Sequence, residues 1–171
     1  MVTKDRMWMR DFCLACLIFM VLISPCKAKE SRYIVTYVYD GDTVKLRPVD
    51  ANNSQHDFKL RLTDIDAPER NQNYGLKSRH ALIKLCQGKN IRVTTQIVAR
   101  DKYHRALGRL HCNHTDASLY LAEKGLAWEV KKYSSDVNIY HAAVNARKKK
   151  LGLWADSNPI PPWDWRRMHP H

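Results

Sequence analysis

Apolar and polar residues alternate through the first half of the body of the chain, and a period of two predicts strands. Residues 31–40 are rich in β-branched and aromatic side chains, among them Tyr33, Ile34, Val35, Tyr37 and Val38, which favour a pleated, half-buried surface. Asp40-Gly41 follows as a hairpin-turn dipeptide, and Val44, Lys45, Leu46 and Arg47 alternate as the return strand. After a polar loop over 50–55, residues 56–65 read as a third strand. The period then changes to three and four over 76–86, where Leu76, His80, Ile83 and Cys86 mark the apolar side of a helix. Residues 91–98 and 106–112 are the fourth and fifth strands, joined by a charged turn over 101–105. Thr115 or Asp116 caps a second helix over 117–124, which Gly125 closes. A third helix covers 139–150. Five short strands with one helix after the third and two at the end predict an α+β, mainly β domain. Its architecture is a five-stranded OB-type barrel with three packed helices. Pro159, Pro161 and Pro162 break the helical pattern, so 157–171 reads as an extended tail carrying Trp163, Trp165, Arg166 and Arg167.

The first 28 residues have a different composition. Lys4, Arg6 and Arg10 precede a charge-free run from Phe12 to Ser24, and Ala28 lies shortly after it. A basic start, a short apolar core and a small residue near its end describe a signal peptide over 1–28. An uncleaved anchor is the alternative, although so short a run spans a bilayer poorly. The expected location is therefore exported, periplasmic or secreted, with membrane contact only if the leader stays. Residues 29–156 are expected to form the domain.

The 171-residue chain has a formal net charge of +12. The leader holds four of its basic and two of its acidic residues, so most of that excess belongs to the body. Such a surface faces a polyanion: nucleic acid, acidic polysaccharide or anionic lipid. Three of five cysteines fall in the leader, leaving Cys86 and Cys112. An even pair in an exported chain points to one disulfide, with two buried thiols as the alternative.

Two acidic stretches carry the candidate chemistry. Asp40-Gly41-Asp42-Thr43 joins two strands, and Asp66-Ala67-Pro68-Glu69 leaves a third. Asp42 and Asp66 together read as the carboxylates of a hard metal ion, against the plainer reading of two Asp-rich surface turns. His111, Cys112 and His114 on one strand end cannot close a tetrahedral zinc site.

These pieces, with Arg61-Leu62, Tyr74-Gly75, the run from Asp101 to Arg105, Gly125-Leu126-Ala127 and Leu153-Trp154, make the stretch from Tyr33 to Trp154 resemble the staphylococcal nuclease (thermonuclease) family. The closing Trp-Asp-Trp-Arg-Arg resembles the tails of exported or plasmid-borne bacterial members. The resemblance implies a calcium-dependent nuclease acting on DNA and RNA and leaving 3′-phosphate ends. By position, Asp42 and Asp66 match metal carboxylates, and Ala67 matches a backbone carbonyl ligand. Thr43 matches a residue behind the metal, and Glu69 matches the proposed general base. Arg61 and Arg105 match phosphate-binding arginines, and Tyr133 matches an aromatic beside the base. Two departures stand out: a second family tyrosine falls on Lys131, and the loop after Glu69 is shorter than in the best-known member.

The chemistry suits these residue types. Carboxylate and carbonyl oxygens suit Ca²⁺, and arginine forks hold two phosphate oxygens at once. Lys102, Tyr103 and Tyr133 would meet the substrate, since stacking on bases tolerates any sequence. DNA and RNA are the expected partners, with no stable protein partner and a monomeric chain. The rival function is a non-catalytic nucleic-acid-binding OB module at the cell surface, which would be expected to lack some of the acids or arginines present here. A third reading places the chain as a membrane-tethered accessory in DNA uptake or conjugation, if the leader is uncut.

Overall fold

A computed structural model describes residues 32–51, 53–130 and 136–170; the 1–28 leader, Lys131 and Tyr133 lie outside the described residues. The barrel is built from β1 (Arg32–Val38), β2 (Thr43–Pro48), β3 (Phe58–Leu62), β5 (Val93–Arg100) and β6 (Ala106–Cys112). The short strand β4 (Ile65–Asp66) lies between β3 and β5 in the chain. The sheet runs β3-β2-β1-β5-β6, and a parallel pairing of β3 with β6 closes it. Register slips between Val35 and Tyr37 on β1, and between Ile97 and Ala99 on β5, are bulges. Such bulges add the bend and twist that closure needs.

The period of two appears in the packing. Along β6, Ala106, Gly108, Leu110 and Cys112 are buried while the residues between them are not. They meet Val35, Val38, Val44, Leu46, Leu60 and Leu62 in the core. At about 25 cal/mol per Å² of apolar surface, each fully buried leucine contributes on the order of 2 kcal/mol before chain entropy is subtracted. A two-residue strand β7 (Thr115–Asp116) pairs back on β6 through Asn113 and His114, both at positive φ. That is the backbone of a tight hairpin turn, so His114 serves a turn.

Among the described residues four helices accompany the barrel, one more than the sequence pattern predicts. Helix α1 (Gly75–Cys86) buries Ser78, Leu82 and Cys86, whereas Leu76 and His80 are exposed. The buried stripe is thus offset from the predicted one and includes a serine that no hydrophobic pattern marks. Helices α2 (Ala117–Glu123) and α3 (Val137–Lys148) begin at Asp116 and Asp136, whose carboxylates accept from Leu119 N and Asn138 N. Cys86 and Cys112 form a disulfide with Cα atoms 5.2 Å apart.

The tail corrects an expectation. Residues 157–171 are not simply extended, because α4 (Pro162–Met168) is a helix with proline in its first turn. At that position the missing N–H costs no bond and the fixed φ suits the helix. The preceding segment docks first: Gln72 Nε2 donates to Ile160 O at 2.6 Å, and Trp163 sits 5.5 Å from Trp128. Trp128 also meets Trp154 at 4.5 Å, with the Arg147 guanidinium 4.2 Å from the Trp154 ring.

Candidate active site

The two acidic stretches meet because small residues let their backbones approach. The turn between β1 and β2 spans 39–42 and closes with Tyr39 N donating to Thr43 O at 2.9 Å. It is longer than the two-residue hairpin that Asp40-Gly41 predicts. Gly41 is required there for space, since a Cβ would lie 1.9 Å from Ser78 Oγ and 2.7 Å from Ala67 Cβ. Asp42 N donates to Asp40 Oδ1 at 2.9 Å, which shapes the turn.

The predicted third strand is cut at Thr63. Asp64, at φ 73°, turns the chain out of β3 and into β4. There Asp66 pairs with Trp128 of β8 (Trp128–Glu129) in a separate two-stranded sheet. Asp66 therefore leaves a small second sheet rather than the end of β3. After it, Gly75 allows the 69–75 loop to fold tightly, because a Cβ would lie 1.8 Å from Glu69 O.

One guanidinium joins the acid pair. Arg61 Nη1 is 3.2 Å from Asp42 Oδ2, and Nη2 donates to Asp66 Oδ1 at 2.9 Å. Nη1 also donates to the carbonyls of Leu62 and Ile65, at 2.8 and 3.0 Å. Asp42 is further held by Ala67 N at 2.6 Å and Thr43 Oγ1 at 3.0 Å. Burial pushes the Asp42 carboxyl up to about 6; Arg61 opposes the rise, and Asp40 adds to it. Removal from water disfavours the charged form more than Arg61 favours it.

Both acids open on a cleft of about 540 Å³ that Lys59, Glu69, Tyr103 and Arg105 also line. A larger hollow of about 730 Å³, between Arg32–Val35 and Cys86–Val93, has no acid in its lining. Arg105 Nε donates to Asp101 Oδ2 at 2.8 Å, so the tight 101–105 turn sets the direction of the side chain. Tyr103 is exposed, with the Arg105 guanidinium 5.6 Å from its ring and the Lys102 ammonium 5.0 Å. Lys102 itself does not line the cleft.

The residue that the sequence pattern missed is Arg166. From α4 its Nη2 donates to Asp66 Oδ2 at 2.7 Å, and its Nη1 reaches Asp66 Oδ1 at 3.2 Å and Glu69 Oε1 at 2.8 Å. Asp66, and then Glu69, hold this guanidinium above its ordinary pKa against the cost of burial. The tail's Trp163, Trp165, Arg166 and Arg167 read from the sequence as residues to dock on the body or grip a strand, but nothing local assigns Arg166 to the acids.

The donor set fits a hard cation. Its oxygens come from Asp42 and Asp66, and burial disfavours the bare charge on Asp42. Among the described residues no three His, Cys, Asp or Glu side chains converge as a ready-made metal cage. A cation here would complete its shell with backbone, solvent or phosphate oxygens, as hard cations accept.

The described residues form an OB-type barrel with a charged cleft at the junction of barrel and helices. Comparison with known proteins narrows the class. The family described as "Staphylococcal nuclease homologue" matches residues 59–156. An "Uncharacterized endonuclease" of Haemophilus influenzae is 38% identical over 152 residues, covering 89% of this chain and 82% of its own. One of Escherichia coli is 35% identical over 133 residues, covering 77% and 82%. A "Micrococcal nuclease" of Shigella flexneri is 33% identical, covering 78% and 79%. The chain belongs to the staphylococcal nuclease family and is a nuclease-type hydrolase.

Proposed function

We propose that this nuclease is exported, uses Ca²⁺, and hydrolyses both DNA and RNA phosphodiesters to leave 3′-phosphate ends. The observation that carries the reading is the pairing of Asp42 and Asp66 with one arginine, in a cleft that Glu69 and Arg105 share. Asp42 and Asp66, with the Ala67 carbonyl, would hold the cation, and Thr43 braces Asp42. When bound, such an ion supplies Lewis-acid polarisation of a phosphoryl oxygen.

The remaining steps belong to the chain's own side chains. Arg105 presents its guanidinium to the phosphate and stabilises the charge that grows on its oxygens. Arg61 keeps the two acids together and keeps one edge on the cleft. Glu69 accepts a proton from the attacking water, the water oxygen bonds to phosphorus, and the bond to the 5′-oxygen breaks. The departing oxygen takes a proton from solvent. Tyr103, exposed at the rim, offers a face for a base, and Lys102 beside it adds positive charge. Nothing in the described cleft selects a base, which suits a broad substrate range.

Export is supported by the composition of residues 1–28 and by the Cys86–Cys112 bond, which belongs in an oxidising compartment. N-terminal sequencing of protein recovered outside the cytoplasm checks this; a retained Met1 in soluble cytoplasmic protein overturns it. The decisive experiment digests single-stranded DNA, duplex DNA and RNA in Ca²⁺, Mg²⁺ or EDTA. Cleavage of all three in Ca²⁺ only is expected. Equal cleavage in EDTA removes the metal, and retention without cleavage leaves a binding module.

A further inference from the structure

Arg166 stands in an odd relation to the chemistry above. It is a third cleft arginine, yet its fork is closed on Asp66, a residue that the proposed function assigns to a cation. The contact is built rather than incidental. α4 is anchored on one side by Trp163 against Trp128, and on the other by Trp165 Nε1 donating to Asn71 Oδ1 at 3.3 Å. Gln72 ties the approach to α4 to the same loop, since it donates to Ile160 O and accepts from Glu69 N. The helix is thus fixed beside Glu69 while the Arg166 side chain itself stays 44% exposed.

The two oxygens of Asp66 are not held alike. Oδ1 takes the half-buried Arg61 and also Arg166; Oδ2 takes Arg166 at 2.7 Å. Arg61 is fastened to two carbonyls and two acids, so it is the costlier one to move. A cation that binds Asp66 has to displace a donor, and Arg166 is the one free to leave. Its fork then remains in a cleft where the next planar anion is a strand phosphate, which arginine binds with two parallel bonds. Its departure also frees Glu69 to accept a proton.

We propose that Arg166 is an exchangeable substrate-binding residue: it closes on Asp66 and Glu69 in the free protein and passes to a strand phosphate when a divalent cation takes Asp66. This rests on the metal and nuclease reading above. It makes cation and nucleic acid bind cooperatively, because each favours the same open state of the arginine.

The test is calorimetric titration of CaCl₂ into the full chain, its Arg166→Ala variant and its Arg166→Lys variant. Each titration is done alone and with a short nuclease-resistant oligodeoxynucleotide, and near-ultraviolet circular dichroism reports the tryptophan contacts of α4. Without the oligonucleotide, Arg166→Ala should take up Ca²⁺ about tenfold more tightly than wild type, with Arg166→Lys between them. With it, the wild-type affinity for Ca²⁺ should rise, and the rise should shrink in Arg166→Ala. Equal or weaker Ca²⁺ binding by both variants overturns the exchange, as does an undiminished oligonucleotide effect. Absence of Ca²⁺ binding by all three proteins overturns the calcium reading as well, so the two failures are distinct.

Discussion

Asp42 has to be ionised in a place that resists its charge. It is 4% exposed, its strongest perturbation is burial, and Asp40 adds repulsion that Arg61 only partly offsets. Its folded pKa of about 6 lies above its ordinary 3.8, so between roughly pH 4 and 6 the folded chain holds a proton that the unfolded chain has lost. By linkage, this residue's contribution to stability falls as pH rises across that window, by on the order of 3 kcal/mol at most. A divalent cation favours the ionised form and reverses the penalty. In thermal melts, the gain in Tm from Ca²⁺ over EDTA should therefore be small at pH 5 and full by pH 7. A gain that does not change with pH would remove Asp42 from the metal. Asp66→Ala takes away the other proposed ligand and leaves Arg61 and Arg166 facing the strand. Cleavage should drop below about one-thousandth of wild type, while retention on a single-stranded DNA column persists. Arg105→Ala keeps the acids paired through Arg61 and should lose about 100- to 1,000-fold in kcat/KM. Unchanged kinetics in either variant would move the chemistry elsewhere.

One residue of the barrel reaches the starts of two helices. Arg109 on β6 pairs with Asp116 at 2.7 Å and Asp136 at 2.6 Å, the two aspartates that cap α2 and α3. It also holds the Asp136 carboxyl below the usual carboxylate range. Arg109→Ala leaves both caps in place but unties them from the strand. Denaturation should show a loss of about 1–2 kcal/mol, with normal activity per folded molecule. A larger loss of activity than of stability would mean that α3 shapes the cleft. At this scale the sequence was most legible. Alternation located the five barrel strands, and Asp116 was read as one of two candidate caps before α2. The pairing of Asp42 with Asp66 was also read from the sequence, although Asp66 leaves the unpredicted strand β4 rather than the end of β3. Three features were not. Asp64 ends β3 through a left-handed backbone that aspartate permits without announcing. The buried stripe of α1 passes through Ser78, which packs where Gly41 has no side chain. Arg166 meets Glu69 and Asp66 from 97 and 100 positions away, and pairing at that distance leaves no periodic trace. Of the prolines read as helix breakers, Pro161 and Pro162 in fact start a helix.

The whole molecule is small for a barrel with so charged a cleft, and one covalent link compensates. Cys86 ends α1 and Cys112 ends β6, and the bond between them closes a loop with a sequence separation of 26. Constraining a loop of that size in the unfolded chain is worth about 3–4 kcal/mol on the chain-entropy account. Both cysteines are also buried in the core, so removing the bond while keeping small side chains adds a packing loss. The replacement Cys86→Ala with Cys112→Ala should lower Tm by on the order of 10 °C or more, and reduced wild type should follow it. Activity is expected to behave differently. β6 runs from Ala106, next to Arg105, to Cys112 at its far end, roughly 20 Å along the strand. The bond therefore lies a strand's length from Arg105, the arginine proposed to bind phosphate. Well below the new Tm, the double variant should cleave DNA at a rate within about twofold of wild type. A variant that keeps its Tm would show that core packing alone holds α1 to the barrel. One that keeps its fold at 15 °C but loses cleavage would show that the α1 end of the barrel sets the angle of the Asp42 turn, through the contact of Gly41 with Ser78.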